Sequence, residues 1–245
     1  MSAAVLARLL RSPGSIAAAC RDDHPDVRAI ASASIGAIAL GAAAFGGVVG
    51  SFRGGIQIFY GAVKVPLAVL ATLSLCAPAF HAIAAAFGRP WTMRSIIALT
   101  LAAAGRSSLV LLAFAPALWL VFDCGLGYHK AAVISSMAYG AAGLAALSVL
   151  VRGLGEGTGR VRTALAFLGI FFAVGGQTAW ILRPYLVRPR TPDVPFLRAR
   201  EGSFSDAVFD SANSAGRYRD VNRAESFEPQ SRAIEAEPVE NEETW

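Results

Sequence analysis

Five uninterrupted apolar stretches, each close to the length a bilayer demands, dominate this chain. They are Ala29–Gly50, Val65–Phe87, Ser95–Phe122, Ala131–Val151 and Thr163–Leu182. A helix needs about 20 predominantly apolar residues to cross the hydrocarbon. No water is available there to satisfy peptide groups, so each stretch must bond its own backbone as a helix. The connections "SFRGGIQIFYGAVK", "GRPWTMR", "DCGLGYHK" and "RGLGEGTGRVR" are short, so successive helices are expected to alternate in direction. The expected fold is all-α: a polytopic integral membrane bundle of about five transmembrane helices over residues 29–182.

The charge distribution agrees. Hydrophobic residues make up 55% of the chain and charged ones only 16%, where soluble globular proteins carry about a quarter charged. Asp123 is the only carboxylate between Val27 and Gly155, and eleven of the seventeen acids lie in Glu201–Trp245. The net charge of +5 averages unlike parts, and no nucleic-acid partner is expected from it. Arginine outnumbers lysine twenty to two and alanine is abundant. That bias reads as the codon content of a GC-rich bacterial genome, so the expected location is the bacterial inner membrane, multi-pass. Cys20, Cys76 and Cys124 are far apart and have no metal-ligand spacing, so neither a disulfide framework nor a metal site is indicated.

Two flanking regions complete the organisation. Residues 1–28 carry Val5, Leu6, Leu9 and Leu10 interleaved with Arg8 and Arg11, a pattern for a short interfacial helix that Pro13-Gly14 would end. The acidic "RDDHPD" then separates this segment from the first span, which argues against a cleavable signal peptide. Residues 183–245 turn from basic to acidic: five arginines and one aspartate in Arg183–Arg200, four arginines and eleven acids in Glu201–Trp245. Such a composition buries too little apolar surface to fold, so a mostly disordered tail is expected.

Within the spans, polar side chains are the candidates for function. Arg106 is the charge inside an apolar span as those spans are bounded, and intramembrane ions are costly and often functional. Ser95–Phe122 exceeds the length a membrane needs, which favours Arg106 snorkelling to the headgroups over an anion site or gate. His81 has no carboxylate partner in any span, so an interhelical hydrogen bond is expected in place of a proton relay. Gln177 is expected to face the bundle and bond a neighbouring helix. Beyond it, "AWILRPYLVRPR" reads as a membrane exit. Trp180 and Tyr185 match the headgroup belt, Arg183 and Arg188 the lipid phosphates, and Pro184 and Pro189 stop the helix.

Small residues recur at four-residue spacing in Ala42, Gly46, Gly50 and in Ala132, Ser136, Gly140. Such faces let backbones approach closely, either inside the bundle or against a second copy. Pro78 and Pro116 are expected to kink the second and third spans. The alternating glycines of "GLGEGTG" lack the preceding strand of a nucleotide fingerprint and read as a flexible connection. His24, His81 and His129 are scattered, and no nucleophile elbow, metalloprotease motif or intramembrane aspartate pair is present. No catalytic, cofactor-binding or metal residue is expected.

"GGIQIFYGAVKVPLAVLATLSLCAPAFHAI" (Gly54–Ile83) and "GGQTAWILRPYLVRPR…VPFLRAREGSFSDAVF" (Gly175–Phe209) resemble two recurring segments of an uncharacterised bacterial family of multi-pass membrane proteins labelled Yip1-like. The likeness rests on Gln57, Tyr60, Lys64, Pro66 and Pro78, and on Gln177, Trp180, Arg183, Pro184, Arg198, Gly202 and Phe204. It implies a five-span protein that organises membranes through partner proteins, with no catalytic residue. The expected role is a non-enzymatic scaffold or accessory subunit in the bilayer, with a protein partner or homo-oligomer through its small-residue faces. The alternative is a permease or channel-like component acting as an oligomer. Lys and Arg divide nine to eight between the two membrane sides, too even a split to orient the chain.

Overall fold

The computed structural model describes residues 3–88, 91–125, 127–155, 159–182 and 196. Among these the protein is all-helical, with five helices long and apolar enough to cross a membrane. The short helices α1 (Ala3–Arg11) and α2 (Pro13–Arg21) come first. The spans come next as α3 (Val27–Ser51), α4 (Ile56–Ala86), α5 (Met93–Asp123), α6 (Tyr128–Gly153) and α7 (Arg160–Leu182). The Trp180 side chain, together with Arg183, Pro184, Tyr185, Arg188 and the acidic tail, lies outside the described residues.

α5 is the central helix. α3, α4, α6 and both N-terminal helices pack against it. Its buried face is built of small residues, including Ala98, Ala102, Ala103, Ala104, Gly105, Ser108 and Ala115, which keeps neighbouring axes close. A Cβ on Gly41 of α3 would stand 2.5 Å from the Ser108 carbonyl oxygen, and one on Gly105 would stand 2.8 Å from Ser34 Cβ. Gly41 sits in a π-helical turn, Ile38–Ala42, that interrupts α3. With no hydrophobic drive between helices in lipid, such backbone proximity is what holds a bundle together.

The tightest contact joins α3 to α4. Cβ atoms on Gly46 and Gly61 would each collide with the other's carbonyl, and one on Gly50 would collide with that of Gln57. The Ala42–Gly46–Gly50 face is therefore spent inside the bundle. The face of Ala132, Ser136 and Gly140 is not: a Cβ on Gly140 would meet nothing within 4 Å, and Ser136 is exposed.

Three expectations need correction. The stretch from Ser51 to Lys64, expected as a short connection, is loop only as far as Gly55. Gly54 and Gly55, at φ of +83° and +60°, make a tight turn, and α4 starts at Ile56. The polar residues of this stretch looked like a loop because they are polar, yet Gln57 and Lys64 are buried on the helix. Pro66 therefore lies inside α4, as Pro78 does, and each removes one backbone hydrogen bond. Second, Arg106 is not the only charge within a spanning helix, because Lys64 is another. Third, Pro13 does not only end α1: it occupies the first turn of α2, where its missing N–H costs nothing.

The N-terminal helices are a fitted part of the bundle. Leu9, Ile16, Ala17 and Cys20 are fully buried in one cluster with Leu99, Ala102, Ala103 and Val149. "RDDHPD" ties them down, with Arg8 donating to Asp26 at 3.2 Å and Arg94 pairing with Asp23 at 3.5 Å. α7 packs on α4 and barely touches α6, its predecessor in the chain. Phe80 and Phe167 stack there with centroids 4.4 Å apart.

Candidate functional site

The buried hydroxyls of the spans mostly serve their own helices. Ser34 donates to the Ile30 carbonyl at 2.7 Å, Thr100 to Ile96 at 2.9 Å, Ser135 to Ala131 at 2.8 Å and Thr178 to Val174 at 2.8 Å. These bonds satisfy each hydroxyl proton within its own helix. The polar side chains of the spans outside this pattern include Arg106, His81, Gln177, Lys64, Gln57 and Ser108.

The structure does not bring the three expected polar residues together. Arg106 is on the α5 face that includes Ala102, Ala103 and Leu109, toward the N-terminal helices. Gln177 is on α7, which packs on α4. A Cβ on Gly175 would stand 3.4 Å from Thr72 Cγ2 of α4, so Gln177 lies near the level of Thr72. His81 is nine residues further along α4, about 14 Å at the helical rise. Gln177 is half-buried and has an interaction partner. The Nδ1 atom of His81 is buried and makes no hydrogen bond among the described residues.

Arg106 is the least satisfied of the set. Its Nε and Nη1 are buried without a hydrogen-bond partner, as is the Oγ of Ser108. Arg152 is in the last turn of α6 and lies against the start of α2, with its Nη1 3.7 Å from where a Gly14 Cβ would be.

Lys64 entered the sequence reading only among the residues that carry the resemblance, and not as an intramembrane polar site. It is 5% exposed, with its Nζ 5.1 Å from the Phe196 ring centroid and 5.8 Å from that of Tyr60. The two rings meet edge to face at 5.3 Å. A signal was available: Gln57, Tyr60 and Lys64 stand at i, i+3 and i+7, one face of a helix. Phe196 comes from far along the chain, and no spacing in the sequence reveals its contact with Tyr60 and Lys64.

Among the described residues no group of three or more His, Cys, Asp or Glu side chains is placed to hold a metal ion. No family model matches the chain, and neither a curated protein nor a solved structure matches it.

Proposed function

We propose that this is a non-enzymatic integral membrane protein of a bacterial inner membrane, a scaffold or accessory subunit that presents its ends to a partner. The observation that carries the reading is the packing around α5. Helices meet there through Gly, Ala and Ser backbones, and the hydroxyls of Ser34, Thr100 and Ser135 bond carbonyls of their own helices. The N-terminal end adds weight, since two helices are packed and ion-paired into a shaped surface. The Yip1-like resemblance supports the same role, and its two segments touch at Tyr60, Lys64 and Phe196.

The test is site-specific photocross-linking in intact membranes, with pull-down of the products. Probes at Arg11 and Arg162, on the ends, should capture a discrete partner that probes at the exposed mid-span positions Leu144 and Phe172 do not. Capture of nothing from the ends, with solute flux in reconstituted vesicles, would replace this reading with the permease or channel-like one. The unpartnered nitrogens of Arg106 are the observation that favours that alternative.

A further inference from the structure

We propose that the segment following α7 completes the fifth span: residues 183–196 dock on the α4 face that carries Tyr60 and Lys64, with Phe196 as the fastening. This docking does not rest on the scaffold reading.

α7 stops short of the end of the helix it packs on. Phe167 stacks on Phe80, and Gly175 stands against Thr72. Between those two contacts each helix advances eight residues, in opposite directions. Leu182, seven residues beyond Gly175, therefore ends α7 level with Val65. α4 begins nine residues earlier, at Ile56, so about 14 Å of it continues past the end of α7.

The α4 face beyond that point is polar. Ala84, Phe80, Cys76 and Thr72 form the row that meets α7. The same four-residue step continues to Ala68, Lys64 and Tyr60. Side chains on a helix lean toward its N-terminus, which carries the Lys64 ammonium past Leu182. Ile58, Phe59 and Val63 on the same length are exposed and apolar, as lipid-facing positions are. Lys64 is thus a charge at hydrocarbon depth, where ions are enclosed by protein. It is enclosed, at 5% exposure, and so is Gln57, at 6%.

Phe196 is seated on this face, 5.1 Å from the Lys64 Nζ and 5.3 Å from the Tyr60 ring. It comes fourteen residues after Leu182, and an extended chain of that length would place it about 46 Å away. Its seat is instead within two turns of the level where α7 ends, so the connecting chain is kept at α4 and does not leave directly for water. Pro184, Pro189, Pro192 and Pro195 bar a regular helix from this segment. Non-helical backbone at membrane depth is tolerated where protein or a water-filled cavity satisfies it. Lys64 and Gln57 supply N–H donors for its carbonyls. That need accounts for a lysine and a glutamine buried in a spanning helix.

The experiment uses the full chain in lipid nanodiscs, where both membrane faces meet a charged, membrane-impermeant maleimide. Cys124, exposed just after α5 at the same end of the bundle, is the internal reference, and buried Cys20 reports global unfolding. Leu186→Cys and Val194→Cys should each react about 10-fold or more slowly than Cys124, because docked chain must open before it reacts. Phe196→Leu or Tyr60→Leu should raise those rates about 2- to 30-fold, the range set by a lost ring contact to a cation, with Cys20 still protected. Leu144→Ala, exposed on α6, should change nothing. If one leucine variant exposes Cys20, the other and Lys64→Met carry the comparison. In native membranes, p-benzoylphenylalanine in place of Phe196 should cross-link to α4 of the same copy. Three results overturn the proposal: rates equal to that of Cys124 without any further substitution, protection indifferent to Phe196→Leu, Tyr60→Leu and Lys64→Met, or a cross-link to a second copy.

Discussion

Gly46 of α3 and Gly61 of α4 lie backbone against backbone, so that a methyl group on either would collide with the carbonyl oxygen of the other. This contact closes the α3–α4 hairpin and fixes where Lys64, one turn beyond Gly61, is carried. Gly61→Ala must push the helices apart, and overpacking of this kind costs about 1 to 3 kcal/mol. Gly140→Ala on α6 meets open space and should be neutral or stabilising by up to about 1 kcal/mol through helix propensity. Unfolding in detergent, measured on both variants, checks the contrast. Equal effects would mean that the close approach does not hold the hairpin.

Lys64 depends on two rings. Cation–π contacts are worth about 0.5 to 2 kcal/mol, more when desolvated, and Lys64 is buried. Phe196→Leu should lower the thermal midpoint, whereas Phe196→Trp should hold or raise it. In a Lys64→Met background the same pair of substitutions should differ much less. That double-mutant cycle separates the charge from the apolar contact.

Thr92 caps α5. Its Oγ1 accepts from the Ser95 amide at 3.1 Å and lies 2.9 Å from the Ser95 hydroxyl. Thr92→Ala should cost about 0.5 to 2 kcal/mol, and Thr92→Ser should restore most of that. Hydrogen exchange at the Met93–Ser95 amides is the local readout, and it should rise in the alanine variant alone.

Cys20 makes the stability of the fold depend on pH. It is fully buried outside the spans, and burial pushes its thiol from 9.0 up to about 11. The folded state therefore holds its proton more tightly than the unfolded state does. The stabilisation is full below pH 9 and is lost as pH rises toward 11. It amounts to about 2 to 3 kcal/mol at the upper end. Cys20→Ala should show a shallower stability loss between pH 9 and 11 than the wild type. In the folded wild type a maleimide at pH 7.5 should modify the exposed Cys124 and spare Cys20. Rapid labelling of Cys20 would show that α1 and α2 open readily from α5.

By itself the sequence determined the consequences of length and solvent. Five apolar stretches of spanning length must be helices, because hydrocarbon offers the backbone no other partner. Small residues at four-residue spacing must favour close approach, as Gly46 and Gly50 do. Which helices approach which was beyond it. In a soluble protein one apolar stripe marks the buried face, but a spanning helix is apolar all round and lipid is as apolar as protein. Ala42–Gly46–Gly50 and Ala132–Ser136–Gly140 therefore read alike, yet one is buried against α4 and the other faces outward.

For the same reason only the tertiary structure decided that α7 packs on α4 through Phe80 and Phe167 and not on its neighbour α6. It also decided that α1 and α2 wedge against α5. Arg106 was legible as an unusual charge, but that its Nε and Nη1 are enclosed without a hydrogen-bond partner depends on how the helices pack around α5, which no local pattern encodes. Lys64 was hidden by the opposite effect. Its polar neighbours Arg53, Gln57 and Tyr60 looked like a loop, and only the fold supplied the buried surroundings, with Phe196 from the far end of the chain, that let a helix carry a lysine there.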